Sequence, residues 1–278
     1  MITLSKTVHS LTKVVAATAL LGVSMGASAG IIDDFSTGQA TLVDITVDGT
    51  YVSSSVGAGD PTILGGNRDI GVSLISSADP TNINAEIGVS NVTGHLNFSV
   101  DTTATATGHV DWDGAANTDE TVDFTGLGGI DITAGGTLTA FKVDTIFADA
   151  GFEFVVTAWT DANNWTAISF SATGTAVPLT TFIPFSAFEN VALCGAVNPA
   201  PGVNSITCGS GNTAPVNLAN LGALALDLDP SGGTVSVDLT LDSISTVPEP
   251  ATVALFGTGL LLAGGLAGFR RRKYNKAM

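Results

Sequence analysis

Val235-Ser236-Val237-Asp238-Leu239-Thr240-Leu241-Asp242 alternates apolar and polar residues without a break. Successive side chains of a strand point to opposite faces, so this stretch reads as a strand with one face on a core and one in water. The same period recurs upstream. Val43, Ile45 and Val47 alternate with Asp44, Thr46 and Asp48, and Leu96, Phe98 and Val100 with Asn97, Ser99 and Asp101. Val110 and Trp112 alternate with His109, Asp111 and Asp113, and Leu224, Leu226 and Leu228 with Ala225, Asp227 and Asp229. Strands wetted on one side belong to antiparallel sheets rather than to parallel sheets buried on both faces. Turn chemistry punctuates them at Asp48-Gly49, Asp149-Ala150-Gly151 and Asp229-Pro230-Ser231-Gly232-Gly233. Between residues 30 and 250 no 3.6-residue period is sustained. The capping-box pattern Ser186-Ala187-Phe188-Glu189 predicts a turn or two of helix at most. The expected fold is all-β, an antiparallel, jelly-roll-like β-sandwich in a single domain over residues 30–246.

The two ends read differently. Lys6 and Lys13 precede an apolar run over residues 14–23, which closes on the small residues Ala27-Ser28-Ala29. That three-part layout is a secretory signal peptide, residues 1–29, removed by signal peptidase; the run is short of the about 20 residues that a spanning helix needs. The other end, residues 247–278, reads Val247-Pro248-Glu249-Pro250, then residues 251–269 without a charge, then Arg270-Arg271-Arg272-Lys273. As a helix, residues 251–269 rise about 28 Å, close to the hydrocarbon thickness, and the basic cluster marks a cytoplasmic stop. Prolines on both sides of Glu249 hold an extended backbone, which is what a protease needs. Residues 30–250 are therefore expected outside the cytoplasm.

Of the chain's nine basic residues, only Arg68 and Lys142 lie between residues 30 and 250, whereas all 25 acidic residues do, a formal net charge of −23 for that span. Such a surface repels nucleic acid and anionic lipid and suits a protein that lives in salt or holds divalent cations. Arg68, beside Gly65-Gly66 and Asp69, reads as one half of a structural ion pair. The two cysteines, Cys194 and Cys208, flank a loop composition rich in Gly and Pro. In an exported protein they are expected to form a disulfide.

The tail resembles the PEP-CTERM sorting signal of Gram-negative bacteria in its order of Val247-Pro248-Glu249-Pro250-Ala251, apolar run and Arg270-Arg271-Arg272-Lys273. The resemblance implies export through the inner membrane, transient anchoring, processing by an exosortase, and a final place at the cell surface or in the extracellular matrix. In the middle, Gly129-Ile130-Asp131-Ile132, Thr181-Phe182-Ile183-Pro184-Phe185-Ser186-Ala187-Phe188, Val216-Asn217-Leu218-Ala219-Asn220-Leu221 and Leu239-Thr240-Leu241-Asp242-Ser243-Ile244 follow one another. That order is similar to jelly-roll modules of the galactose-binding-like and family 11 carbohydrate-binding type. In such modules a structural calcium often joins the first and last strands, which here places Asp33, Asp34 and Asp242 as candidate ligands.

Catalytic signatures are missing. His9 falls in the signal, leaving His95 and His109 on outward strand positions, and no Gly-x-Ser-x-Gly, His-Glu-x-x-His or phosphate loop occurs. Carboxylates are so abundant that no pair stands out as a glycosidase dyad. The best sugar-binding candidate is Trp159-Thr160-Asp161-Ala162-Asn163-Asn164-Trp165, in which Trp159 lies opposite the Phe152, Phe154 and Val156 face and Asp161, Asn163 and Asn164 offer polar groups beside two rings. Trp112 shares the face of Val110 and reads as core. A second acidic cluster, Asp111-Trp112-Asp113-Gly114 with Asn117, Asp119 and Glu120, misses EF-hand spacing because Ala115 holds the fifth position. The function expected is a non-enzymatic envelope or matrix protein, with a module binding extracellular polysaccharide as the alternative and a glycoside-active enzyme a distant third. No organic cofactor is called for; structural calcium is the one cofactor suggested.

Overall fold

The computed structural model describes residues 30–248, apart from residues 58, 82, 116–120, 150 and 173. The chain opens with β1 (Gly30–Asp33), β2 (Gln39–Asp44), β3 (Val52–Val56), β4 (Arg68–Ser77) and β5 (Ala85–Val89). It continues through β6 (Leu96–Val100), β7 (Ala104–Trp112), β8 (Ala140–Ala148), β9 (Glu153–Trp159) and β10 (Trp165–Ser171). After β11 (Leu179–Pro184) comes the short helix α1 (Phe185–Glu189), then β12 (Val197–Ala200), β13 (Val203–Cys208), β14 (Ala223–Leu228) and β15 (Asp238–Val247). Two antiparallel sheets result. One runs β11-β8-β15-β6-β5-β2 with β1 added on β15, and the other β12-β13-β10-β9-β14-β7-β4-β3.

The alternating stretches supply the core between them. Leu96, Phe98 and Val100 are buried while Asn97 and Ser99 face solvent. Val110, Trp112, Leu224, Leu226 and Leu228 point inward from the second sheet and Leu239, Leu241 and Ile244 from the first. In β15 the period holds from Val237 to Leu241. It then slips where the pairing with β8 shifts between Leu241 and Ser243, so that Ile244 rather than Ser243 turns inward. A one-residue bulge exchanges the faces of everything beyond it. The run also starts later than its pattern suggests. Ser236 has φ 58°, and Val235 before it is 53% exposed.

The first alternating run inverts the expectation. Val43, Ile45 and Val47 are exposed, and Asp44 is the buried residue. Its Oδ2 accepts the backbone N–H of Leu74 at 2.7 Å, next to a slip in the β4–β7 ladder, and its Oδ1 accepts Thr46 N at 2.9 Å. A buried N–H left without its ladder partner is costly, and the carboxylate that satisfies it fixes which face of β2 turns in.

Helix α1 starts at Phe185 with Pro184 in the N-cap position and no side-chain cap, so Ser186 does not cap it. Glu189 accepts Leu218 N at 3.0 Å instead. Arg68 is fully buried. Its Nη1 donates to both oxygens of Asp33 at 3.0 and 2.9 Å, its Nε to Gln39 Oε1 at 3.0 Å and its Nη2 to Thr37 O at 2.7 Å. Asp33 also accepts Trp112 Nε1 at 2.9 Å. The pair of Arg68 is thus Asp33, from the other sheet, and not its neighbour Asp69. Cys194 and Cys208 are joined by a disulfide.

Val247 is the last residue of β15, paired with Ala140, and Pro248 follows it exposed. The signal over residues 1–29, Glu249-Pro250, the apolar run 251–269 and the basic residues 270–273 lie outside the described residues. Among the described residues no helix is long and apolar enough to cross a membrane.

Candidate functional site

Because every pairing in the second sheet is antiparallel and in defined register, the side chains on its outer face fall into rows that cross the strands. One row runs Ser53, Gly71, His109, Asp227, Val155, Ser169 and Ser205. The next runs Ser55, Asp69, Asp111, Ala225, Thr157, Ala167 and Thr207. A third brings Ala223 beside Trp159 and Trp159 beside Trp165. Small residues dominate the middle of this face. Asp69, Thr107, Asp111, Thr157, Ser169 and Ala225 point outward yet are buried. An outward side chain can be hidden only if its neighbours stand higher, so the centre of the face is a depression.

Aromatic rings border it. On the β3 side the Tyr51 ring lies over Gly71, where a Cβ would meet Tyr51 Cδ1 at 3.0 Å, and Tyr51 Oη bonds Thr107 Oγ1 at 2.8 Å. On the other side, Trp159 and Trp165 are cross-strand neighbours and half-buried. Trp159 rests on Phe124 with ring centroids 5.6 Å apart. The segment carrying Phe124 is laid along the sheet end by Leu127 N to Gly222 O at 2.9 Å and by paired bonds between Ile130 and Leu221. Gly222 is required there, since a Cβ would stand 2.1 Å from Phe124 O.

The depression holds an ion-pair network. His109 Nδ1 bonds Asp227 Oδ1 at 2.7 Å and its Nε2 bonds Asp111 Oδ2 at 2.9 Å. Burial works against the imidazolium, but the hydrogen bonds and charges of Asp111 and Asp227 outweigh it, and the pKa of His109 is pushed up to about 10. A charged imidazole with both nitrogens engaged has no lone pair to take a proton, so His109 is not placed to act as a general base at neutral pH. Burial raises the pKa of Asp111, His109 pulls it down, and the charges of Asp113 and Asp227 push it up again. Asp69, Asp111 and Asp113, all buried, each bring a carboxylate oxygen within 4.8 Å of the other two.

The residues read from the sequence are distributed as follows. Trp159 and Trp165 sit together on the outer face. Asp161 turns back onto its own hairpin, accepting Asn163 N at 2.8 Å, Asn164 N at 3.0 Å and Asn164 Nδ2 at 2.9 Å, bonds that hold its pKa below the usual carboxylate range. Asn164 is committed to the same turn, and Asn163 is exposed. Asp33 is spent on Arg68, Asp34 accepts Ser36 N at 3.0 Å, and Asp242 lies toward solvent 3.3 Å from His95. These three do not converge; the group of three acids that does, among the described residues, is Asp69, Asp111 and Asp113. The reason is that Asp33 points inward and is held by Arg68, whereas Asp242 directly follows the inward Leu241 and so faces the other way. Of the second sequence cluster, Asp111 and Asp113 belong to this group, while Asn117, Asp119 and Glu120 lie outside the described residues. Sequence reasoning missed Asp69, Asp227 and Tyr51. The available signal was the shared outward parity of His109, Asp111 and Asp227 on alternating strands.

A cavity of about 500 Å³ lies between the sheets, walled by Phe154, Val156, Phe170, Leu179, Val203 and Leu239 among others. Its described lining carries no charged side chain.

No family model matches the chain, and no curated protein matches it. Solved structures similar to it include PfGH50B, at 11% identity and TM-score 0.36, covering 60% of this chain and 22% of that one. An exo-β-agarase is 8% identical with TM-score 0.38, covering 80% of this chain and 25% of its own. The chain thus spans about a quarter of these two proteins or less. A family 11 carbohydrate-binding module of a Clostridium thermocellum cellulosomal cellulase is 13% identical with TM-score 0.34, covering 80% of this chain and 95% of the module.

Proposed function

We propose that this chain is an exported protein whose sandwich domain binds extracellular polysaccharide across the outer face of the second sheet. The observation that carries the reading is the cross-strand pair Trp159 and Trp165, half-buried side by side at the rim of a depression lined with hydroxyls and carboxylates. Sugar rings present C–H faces that stack on aromatic rings and hydroxyls that need polar partners, and this face offers both. The strongly acidic surface favours an uncharged polysaccharide over a polyanionic one, because like charges repel at the approach. Export and surface placement rest on the sequence of residues 1–29 and 247–278, with signal peptidase and an exosortase as the processing enzymes.

Native gels cast with neutral polysaccharides test the proposal. The purified protein should be retarded by at least one of them, and Trp159→Ala and Trp165→Ala should each weaken retention about tenfold or more, the loss of one base-plate of stacking at about 1.4 kcal/mol. Retention on every polysaccharide that is unchanged in both variants would sink the site. No retardation on any would instead favour a purely structural matrix role.

A further inference from the structure

Three carboxylates at a wetted surface need no ion, since water solvates them. Asp69, Asp111 and Asp113 are different, because they are 4%, 1% and 1% exposed. Gathering buried negative charge is expensive. His109 supplies one positive charge, but it is shared with Asp227 and reaches only Oδ2 of Asp111.

Two further oxygens mark the place. Asp111 Oδ1 is sealed from solvent and has no hydrogen-bond partner. Ser55 Oγ is likewise sealed and without one. Ser55 and Asp111 are the cross-strand neighbours of Asp69 on either side, so the orphan oxygens flank it in one row on one face. Buried polar atoms are nearly always satisfied, so two orphan oxygens on either side of Asp69 call for a partner there. Asp113 is held in place by its own turn. Its Oδ1 accepts Ala115 N at 2.8 Å and its Oδ2 accepts Asp123 N at 2.7 Å. Asn67 Nδ2, bonded to Gly114 O at 3.0 Å, ties that turn to the start of β4.

We propose that Asp69, Asp111 and Asp113, with Ser55 Oγ beside them, form a calcium site at the end of the depression. The donors are all hard oxygens, and the one nearby imidazole has both nitrogens committed to carboxylates, which disfavours zinc and copper. Oxygens within 4.8 Å of one another fit around one ion whose bonds are about 2.4 Å long, and water completes the about six to eight ligands calcium takes. Magnesium, which demands a tighter octahedron and keeps its water, fits this cradle less well. The ion would fix β3, β4 and the turn after β7 together, and it does not depend on polysaccharide binding.

The test is calorimetric titration of chelator-treated protein with calcium chloride, paired with melting in calcium and in EDTA. One calcium per chain and a higher melting temperature in calcium than in EDTA or magnesium are expected. Asp69→Asn and Asp111→Asn should weaken binding at least tenfold, and Ser55→Ala, which removes only a neutral hydroxyl, measurably. Asp242→Asn, outside the cluster, should leave binding unchanged. If Asp111→Asn does not fold, Asp69→Asn and Ser55→Ala decide. Absence of calcium uptake by the parent protein, uptake unaltered in both of those variants, an equal response to magnesium, or loss of uptake in Asp242→Asn would each overturn the proposal.

Discussion

Replacing Arg68 by Met tests the join between the two sheets. The guanidinium is 0% exposed and spends its nitrogens on both oxygens of Asp33, on Gln39 Oε1 and on Thr37 O, while it lies 5.6 Å from the Phe35 ring centroid. Met fills much of the same volume and removes only the charge and its donors. Asp33 keeps Trp112 Nε1 and Phe35 N, but the charge of its carboxylate is then buried without its counter-ion. Breaking one side of a buried, hydrogen-bonded pair costs about 3–5 kcal/mol. For a domain the size of residues 30–248 each kcal/mol lowers the melting temperature by about 2–4 °C, so Arg68→Met should lower it by about 6–20 °C. Adding Asp33→Asn removes the stranded charge, and the double variant should be less damaged than the sum of the singles by about 0.5–3 kcal/mol. Urea and thermal unfolding followed by tryptophan emission report both quantities, with Trp112 itself bonded to Asp33. A cost under about 1 kcal/mol for Arg68→Met, typical of exposed pairs, or strict additivity in the double variant, would refute the reasoning.

Other perturbations probe separate parts of the fold. Replacing Cys194 and Cys208 together by Ala opens a loop with a sequence separation of 14, and should cost about 3 kcal/mol in urea unfolding if the unfolded chain bears the constraint. Thr166 Oγ1, fully buried, donates to Phe188 O at 2.6 Å and accepts Val216 N at 3.1 Å. Thr166→Val keeps the shape and strands both groups, a cost of about 1–3 kcal/mol for each that calorimetry should detect. Burial tends to raise the pKa of Asp144, but hydrogen bonds from Lys142, Thr180 and Ser243 prevail and lower it below 3.8. A depressed carboxylate stabilises the fold above its unfolded pKa and loses that contribution as the pH falls through the folded one. The stability deficit of Asp144→Asn, about 1 kcal/mol or less for so accessible a pair, should therefore be present at neutral pH and vanish in acid, as read from urea midpoints.

The class of fold was legible in short stretches. Leu96 to Val100 carry their burial in their own period, and Val110, Trp112, Leu224, Leu226 and Leu228 point inward as their pattern says, but Asp111, Asp113 and Ala225 on the opposite face are buried too, because the neighbouring strands shelter them. Where the reading failed, a non-local bond was responsible. Asp44 turns inward because Leu74 N, thirty residues away, needs an acceptor. Asp33 is lost as a metal ligand because Arg68, thirty-five residues away, holds its carboxylate.

By itself, then, the sequence determined an all-β, one-side-wet architecture, an acidic domain with just two cations, and the inward position of Trp112. Those properties are set residue by residue. Only the tertiary structure decided that Arg68 pairs with Asp33, that Asp227 reaches His109 across 118 residues, and that Ser55, Asp69 and Asp111 stand in one row. Strand order and register are fixed by packing between distant segments, and no local pattern of alternation records which strand will lie beside which.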